Sequence, residues 1–268
     1  MDYTGPVYNA KVTEPSRDLD CFLQDLALRI AETLSDDLVG VYVFGSVALN
    51  DYLPPQSDVD VLVVSRESLS LDTKSNLVFE IRSVSETYPA IGLDLIVTSV
   101  ECVTTLPKDP TFELSIAIGK DWVPETEFGG PYEAILLDLE IAHRCGIALY
   151  GPSPGELIST VPFERLGPIV RGTIDWHRDH VFDDFHDPLG HYAILNTCRA
   201  LRYFDEDALC SKSEAARWAQ ERFPQNEVIS EAAKIRSGTR HEPLDRSAIE
   251  EFLTAAAGHI DAKPSKNI

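Results

Sequence analysis

Positive charge is scarce in this sequence. Its 268 residues include 23 Lys and Arg against 44 Asp and Glu, which gives a formal net charge of −21. A phosphate backbone is bound chiefly by clustered Lys and Arg, so nucleic acid is not expected as a general partner. The same charge suits small cationic ligands, although acidity of this kind also serves solubility alone.

Cysteine and long apolar runs are scarce as well. The five cysteines are widely spaced and never form a C-x-x-C pair, which argues against a disulfide framework or a zinc ribbon. No apolar run reaches the roughly 18 to 20 residues that span a bilayer. The first residues lack the basic and apolar regions of a signal peptide. We therefore expect a cytoplasmic protein with no membrane partner, and we expect it to be a monomer.

The first half of the chain alternates helical and strand patterns. Apolar residues at three- and four-residue steps predict a helix over 19–34. Short β-branched and aromatic runs predict buried strands over 38–44, 58–64 and 93–97. This alternation is typical of an α/β arrangement.

From about residue 131 onward the pattern turns helical throughout, with one apolar stripe over 135–143 and another over 193–201. We predict an α/β (α+β) N-terminal domain with a mixed sheet over residues 1–127. An all-α, helical-bundle C-terminal domain is expected over residues 128–268.

Carboxylates interrupt two of the predicted strands. Asp58 and Asp60 stand two residues apart at the start of a strand, where alternate side chains share one face, and Asp94 interrupts the next strand. Two such carboxylates suit a Mg²⁺ ion whose remaining ligands are substrate phosphates. A D-x-D pair alone is common in surface strands, so the argument depends on the combination.

The dipeptide Gly45-Ser46 stands between a predicted strand and a short helix. At such a junction, free backbone N–H groups, the positive helix end and the Ser hydroxyl can hold phosphate oxygens, and Gly permits close approach. A G-S pair followed about a dozen residues later by D-x-D, and then by one carboxylate on a following strand, resembles the arrangement found in nucleotidyltransferases.

The runs 44–49 and 57–63 resemble the signature of the polymerase-β-type nucleotidyltransferases. In the second half, the runs 148–157, 195–201 and 211–219 resemble the helical domain of the streptomycin/spectinomycin (3'')(9) adenylyltransferases. The resemblance implies transfer of AMP from ATP to a hydroxyl of an aminoglycoside or aminocyclitol antibiotic, with release of pyrophosphate and resistance to the drug.

The resemblance also implies roles for individual residues. Catalysis would fall to Asp58, Asp60 and Asp94, which would also hold the metal, expected to be two Mg²⁺ ions. Asp94 stands where the family usually has a glutamate, so its side chain is one methylene shorter, and it could act as a base or mainly as a metal ligand. The ATP would be held by Gly45, Ser46, His191, Arg199 and Lys212. Without the resemblance, these cations would be read as solvated helix residues and the histidine as a core or capping residue.

A polycationic drug requires carboxylates and aromatic faces. The resemblance implies that Trp122 is presented to the substrate, and the acidic, aromatic segment 175–187 supplies Trp176, Asp183 and Asp187. Either tryptophan could instead be a core residue. The four histidines of 177–191 match no common zinc spacing, so no transition metal is expected.

Two other functions remain open. One is a nucleotidyltransferase that modifies another small molecule or a protein side chain. The other is a non-catalytic relative that binds nucleotide or drug. The sequence does not decide between streptomycin and spectinomycin.

Overall fold

The structure of this protein is a computed structural model that describes residues 14–54, 56–84, 90–119, 122–183 and 186–263. Its helices are α1 (Glu14–Leu34), α2 (Gly45–Ala48), α3 (Leu71–Val84), α4 (Val100–Thr105), α5 (Ile135–Cys145), α6 (Pro154–Leu157), α7 (Phe163–His180), α8 (His191–Glu206), α9 (Lys212–Arg222), α10 (Glu227–Arg236) and α11 (Arg246–Asp261). Within these ranges no helix combines the length and the apolar character that crossing a membrane requires.

A six-stranded sheet with the order β6-β5-β3-β2-β1-β8 forms the centre of the first half. The strands are β1 (Leu38–Phe44), β2 (Val59–Ser65), β3 (Gly92–Ser99), β4 (Thr111–Phe112), β5 (Leu114–Gly119), β6 (Glu125–Glu127), β7 (Gly130–Pro131) and β8 (Ile147–Tyr150), with β4 and β7 forming a separate pair. β2 and β3 are parallel, whereas β1 is antiparallel to β2 and β5 is antiparallel to β3. The predicted mixed sheet is therefore confirmed.

Helices cover both faces of this sheet, which explains why its central strands are apolar on both sides. Val41 and Val43 pack in a core with α1 and α3. Their neighbours Tyr42 and Phe44 point to the opposite face, into a second core shared with α5 and the later helices. The sheet thus carries one layer of helices on one face and the helical half of the chain on the other.

The C-terminal helices gather around α8, which contacts α7, α9, α10 and α11. Its apolar residues lie on several sides of the helix, and half of its positions are buried. The helical C-terminal part predicted from the sequence is confirmed, as is the first helix.

The expectation that the chain is helical throughout beyond residue 131 is wrong at β8. Ile147–Tyr150 forms a strand antiparallel to β1 and closes one edge of the sheet. The helix before it, α5, packs on β1 and α2. The sheet therefore takes its last strand from beyond residue 127, and the domain limits of 1–127 and 128–268 stay a prediction.

Candidate active site

Three carboxylates lie where β2 and β3 begin. Asp60 and Asp94 are opposite each other in the parallel register of these strands, and Asp58 immediately precedes β2. Leu62 and Ile96, two residues beyond Asp60 and Asp94, pack in the core on the helical side. Because strand side chains alternate, Asp60 and Asp94 also face that side, and both interact electrostatically with Asp58.

The turn from β1 into α2 contacts these carboxylates directly. Gly45 has a φ of +57°, and a Cβ atom at this position would lie 1.8 Å from the Oδ2 atom of Asp60. Only glycine therefore allows the backbone to approach this closely. The next residue, Ser46, donates its hydroxyl to the carbonyl oxygen of Asp58 over 3.3 Å.

Burial, and then neighbouring negative charge, raises the pKa values of Asp60 and Asp94. Burial is the main cause of the raised pKa of Asp60, followed by the negative charges of Asp58 and Asp94. The carboxylate of Asp94 is open to solvent in the cleft. Even so, the surrounding protein displaces water, and the charges of Asp58 and Glu125 add to this, so that the pKa of Asp94 rises to about 6. The cluster thus holds more negative charge than its surroundings neutralise, which favours binding of a cation.

A fourth carboxylate, Asp138 of α5, faces the same cluster. Burial, and then the charge of Asp94, raise its pKa to about 7, while Arg199 acts in the opposite direction. It forms no hydrogen bond or ion pair with any residue in the described ranges. The sequence analysis missed this residue, although an acid inside the apolar run 135–139 was a visible signal.

Lys212 faces the carboxylates from the first position of α9. Its Nζ atom lies 4.2 Å from the ring centroid of Tyr192. Burial lowers the pKa of Lys212 to about 8; the carboxylate of Asp58 opposes this shift, and the neighbouring Arg199 adds to it. The ammonium group therefore lies within electrostatic range of the metal-binding candidates.

Arg199 of α8 lies beside Lys212 and is held by the protein. Its Nε atom donates to the carbonyl oxygen of Cys210 over 2.9 Å, and Nη1 donates to Oδ1 of Asn196 over 3.2 Å. Burial lowers the pKa of this guanidinium, and Asp60 opposes the shift. The cations of the helical half and the carboxylates of the sheet thus face each other across one cleft.

Asp187 and His191 lie together at the start of α8. The backbone N–H groups of Tyr192 and Ala193 donate to Oδ1 and Oδ2 of Asp187 over 3.1 and 2.9 Å, so this carboxylate caps the helix. Asp187 is only 2% exposed. The Nδ1 atom of His191 lies 3.4 Å from Oδ1 but makes no hydrogen bond in the described part of the chain. These contacts give Asp187 a structural task.

Trp122 lies on the sheet beside Asp94. Gly92 and Gly119 are opposite each other in β3 and β5, and Cβ atoms on them would lie 2.7 and 2.6 Å from the indole of Trp122. Gly92 is two residues before Asp94, so it belongs to the same face. The two glycines form a flat floor that holds the indole next to the carboxylates.

Trp176 and Asp183 lie near the C-terminal end of α7. The indole of Trp176 is 45% exposed, stacks on the ring of His180 with centroids 4.2 Å apart, and meets His186 edge-on. The backbone N–H of His186 donates to Oδ1 of Asp183 over 3.3 Å. The segment thus presents an exposed aromatic face close to an acid.

Two family models match this chain. The model for the C-terminal domain of aminoglycoside adenylyltransferase matches residues 156–259, and the nucleotidyltransferase domain model matches residues 26–111. The chain is 26% identical over 253 residues to an aminoglycoside (3'')(9) adenylyltransferase of Escherichia coli, covering 86% of this chain and 90% of that protein. It is 24% identical over 211 residues to a spectinomycin 9-adenylyltransferase of Campylobacter jejuni, covering 74% and 78%.

The fold is also that of a solved structure. A crystal structure of spectinomycin adenyltransferase AAD(9) from Enterococcus faecialis, with ATP and spectinomycin, matches with a TM-score of 0.72. The match covers 90% of this chain and 99% of that one at 20% identity, so it bears on the fold. With a nucleotidyltransferase domain followed by the C-terminal domain of the aminoglycoside adenylyltransferases, the chain is an enzyme of the aminoglycoside adenylyltransferase family.

Proposed function

We propose that this enzyme transfers AMP from ATP to a hydroxyl of streptomycin, spectinomycin or both, releasing pyrophosphate and conferring resistance. The observation that carries the proposal is the cleft itself, in which Asp58, Asp60 and Asp94 face Lys212 and Arg199. Phosphoryl transfer depends mainly on positioning and on charge stabilisation, and this cleft offers carboxylates for a metal and cations for phosphates.

The donor set fits Mg²⁺. Oxygen ligands are what Mg²⁺ prefers, and one or two carboxylates usually hold it together with substrate phosphates. In the described ranges no three His, Cys, Asp or Glu side chains form a ready group of metal ligands. Asp58 and Asp60 would therefore hold the ions jointly with the triphosphate, and Asp94 would lie beside them. When bound, Mg²⁺ supplies neutralisation of the triphosphate charge.

The triphosphate would lie between the two halves of the chain. Ser46 and the backbone at Gly45 contact it from the sheet side, and Lys212, Arg199 and His191 reach it from the helical side. A cavity of about 500 Å³ adjoins this place. It is lined by Leu53, Pro54, Gln56, Leu195, Ser213, Ala216, Arg217, Gln220, Ala233, Arg236 and Ser237. Its apolar walls and few amide groups suit the nucleobase of ATP.

The acceptor hydroxyl would approach from the side of Asp94. The drug oxygen forms a bond to the α-phosphorus, the bond from that phosphorus to pyrophosphate breaks, and the hydroxyl proton passes to the carboxylate of Asp94. With a pKa of about 6, this carboxylate is largely ionised at neutral pH and is still basic enough to accept a proton.

The drug itself is a polycation, which suits the acidic chain. Trp122 supports it by cation–π contact beside Asp94, and Trp176 with Asp183 offers a second aromatic and acidic contact. Asp187 contributes by fixing the start of α8, and with it His191.

The test is incubation of the purified chain with Mg-ATP and a panel that contains streptomycin, spectinomycin and related aminocyclitols. We expect drug-dependent release of pyrophosphate and an adenylylated drug by mass spectrometry. Asp60→Asn should abolish turnover and leave the folded structure intact by circular dichroism. ATP binding without any product, or a modified protein side chain in place of a modified drug, would contradict the proposal.

A further inference from the structure

A buried ion pair joins the two halves of the chain next to the cleft. Asp51 follows α2, and Arg236 is the last residue of α10. The Nη2 atom of Arg236 lies 2.7 Å from Oδ2 of Asp51, and the side chains are only 8% and 11% exposed. The same Nη2 atom also donates to the backbone carbonyl of Asp51 over 2.9 Å. Nothing in the sequence pattern paired these two residues, which are 185 positions apart.

The pair also holds the first turn of α9. The backbone N–H of Ser213 donates to Oδ2 of Asp51 over 3.1 Å, and Nε of Arg236 donates to the hydroxyl of Ser213 over 3.2 Å. Ser213 directly follows Lys212, and Ser211 on its other side caps α9. The backbone of Lys212 is therefore fixed on both sides.

The positive charges near Lys212 require a compensating carboxylate. Arg199 and Arg236 both disfavour the ammonium of Lys212, because three cations meet in this region. Asp51 offsets the charge of Arg236. Its carboxylate and its backbone carbonyl both accept hydrogen bonds from the guanidinium of Arg236. Without Asp51, Arg236 would be a buried cation without its ion-pair partner, and the backbone N–H of Ser213 in the first turn of α9 would lose its acceptor.

We propose that Asp51 and Arg236 are positioning residues that hold Lys212 opposite the carboxylates of the sheet. The inference rests on the proposed function, in which Lys212 binds the triphosphate. It adds to that function a fixed connection between the α2–β2 loop and α9. Small displacements of a binding group are enough to slow a transfer that depends on alignment.

The kinetic test compares Asp51→Ala, Asp51→Asn and Lys212→Ala. We expect Asp51→Ala to raise KM for ATP about tenfold and to lower kcat by a similar factor, because Lys212 is displaced. Asp51→Asn keeps an acceptor oxygen and should recover part of the loss. In a Lys212→Ala background, Asp51→Ala should have little further effect, since both changes remove one interaction.

The chain offers a matched control in Lys74 and Glu113. This pair has the same 2.7 Å separation and comparable burial, with side chains 9% and 13% exposed, but it lies within the first half of the chain. Glu113→Ala should lower the melting temperature and leave KM for ATP and kcat unchanged. Equal kinetic losses in Glu113→Ala and Asp51→Ala, or full additivity of Asp51→Ala with Lys212→Ala, would overturn the inference.

A second readout is independent of turnover. Amide hydrogen exchange in the first turn of α9 should be faster in Asp51→Ala than in the wild-type chain, and unchanged in Glu113→Ala. If the wild-type chain transfers no AMP, the proposed function fails while this measurement still decides whether Asp51 holds α9. Unchanged exchange at Ser213 in Asp51→Ala would overturn the inference.

Discussion

The carboxylate of Asp60 lies against the backbone of Gly45, where a Cβ atom would stand 1.8 Å from its Oδ2 atom. This contact ties the turn that would hold phosphate to the strand that would hold the metal. Because Gly45 also has a φ of +57°, both space and backbone conformation require glycine here.

Gly45→Ala should therefore damage both folding and activity. We expect a loss of roughly 1 to 3 kcal/mol in the free energy of unfolding, from backbone strain and displacement of Asp60, and no detectable AMP transfer. Urea denaturation and a pyrophosphate assay measure the two effects. The matched control is Gly172→Ala in α7, where a new Cβ would meet nothing within 4 Å. The free energy of unfolding of this control should rise by about 0.5 to 1 kcal/mol, and its activity should be unchanged. Similar behaviour of the two variants would contradict this account of Gly45.

Asp138→Asn should stabilise the chain and impair its activity. Burial and Asp94 raise the folded-state pKa of Asp138 to about 7, so the folded state binds a proton more tightly than the unfolded state does. The contribution of protonated Asp138 to the stability of the wild-type chain is thus lost as the pH rises from the unfolded-state pKa towards 7. The Asn variant does not titrate at this position and has no such loss. We expect the variant to be more stable by about 1 to 2 kcal/mol at neutral to mildly alkaline pH, and the difference should shrink at acid pH.

In the same variant, kcat/KM for the drug should fall at least tenfold, or about 1.4 kcal/mol, because a charge beside Asp94 is removed. Denaturation at several pH values and steady-state kinetics provide the two readouts. A variant that is destabilised at every pH and fully active would show that Asp138 is an ordinary structural residue.

The pH dependence of kcat/KM for ATP should follow the protonation of Lys212. Burial lowers its pKa to about 8, so the free enzyme loses the ammonium proton at a lower pH than an exposed lysine would. The value of kcat/KM for ATP is expected to fall as the pH rises through about 8. In Lys212→Arg, activity should be lower overall but without this alkaline limb, since guanidinium stays protonated. Persistence of the limb in that variant would assign it to another group.

The position of the Trp122 indole should depend on Gly92 and Gly119, which lie against it. A Cβ at Gly119 would lie 2.6 Å from the indole, so Gly119→Ala should displace the ring. We expect a rise of about tenfold in KM for the drug, with KM for ATP nearly unchanged, as a lost cation–π contact would produce. Trp218→Phe serves as the control. The indole of Trp218 donates to Glu206 on α8 and is not among the residues assigned to the drug. Equal effects on KM for drug and for ATP would argue against a drug contact.

Local pattern predicted the strands β1, β2 and β3 and placed Asp58 and Asp60 on one face, because alternation along a strand is a property of neighbouring residues. That Asp60 and Asp94 are opposite each other follows only from the register of β2 and β3. It did not predict β8, a four-residue strand whose pairing with β1 is a tertiary contact. The capping role of Asp187 was also missed, since it depends on α8 beginning at His191.

Long-range contacts could not be predicted from local sequence pattern, because they too are tertiary contacts. Asp51 and Arg236 meet only because α10 folds back onto the α2–β2 loop. Asp138 was visible as an acid in an apolar run, but its neighbours Asp94 and Arg199 come from other elements.

The most direct test of the account follows the phosphorus atoms of ATP. The wild-type chain is incubated with streptomycin or spectinomycin and with ATP that is radiolabelled at either the α- or the γ-phosphorus, and the drug is then separated and counted. The account predicts that the α label appears on the drug and that the γ label leaves as pyrophosphate. A γ label on the drug, or no label on any drug, would contradict it.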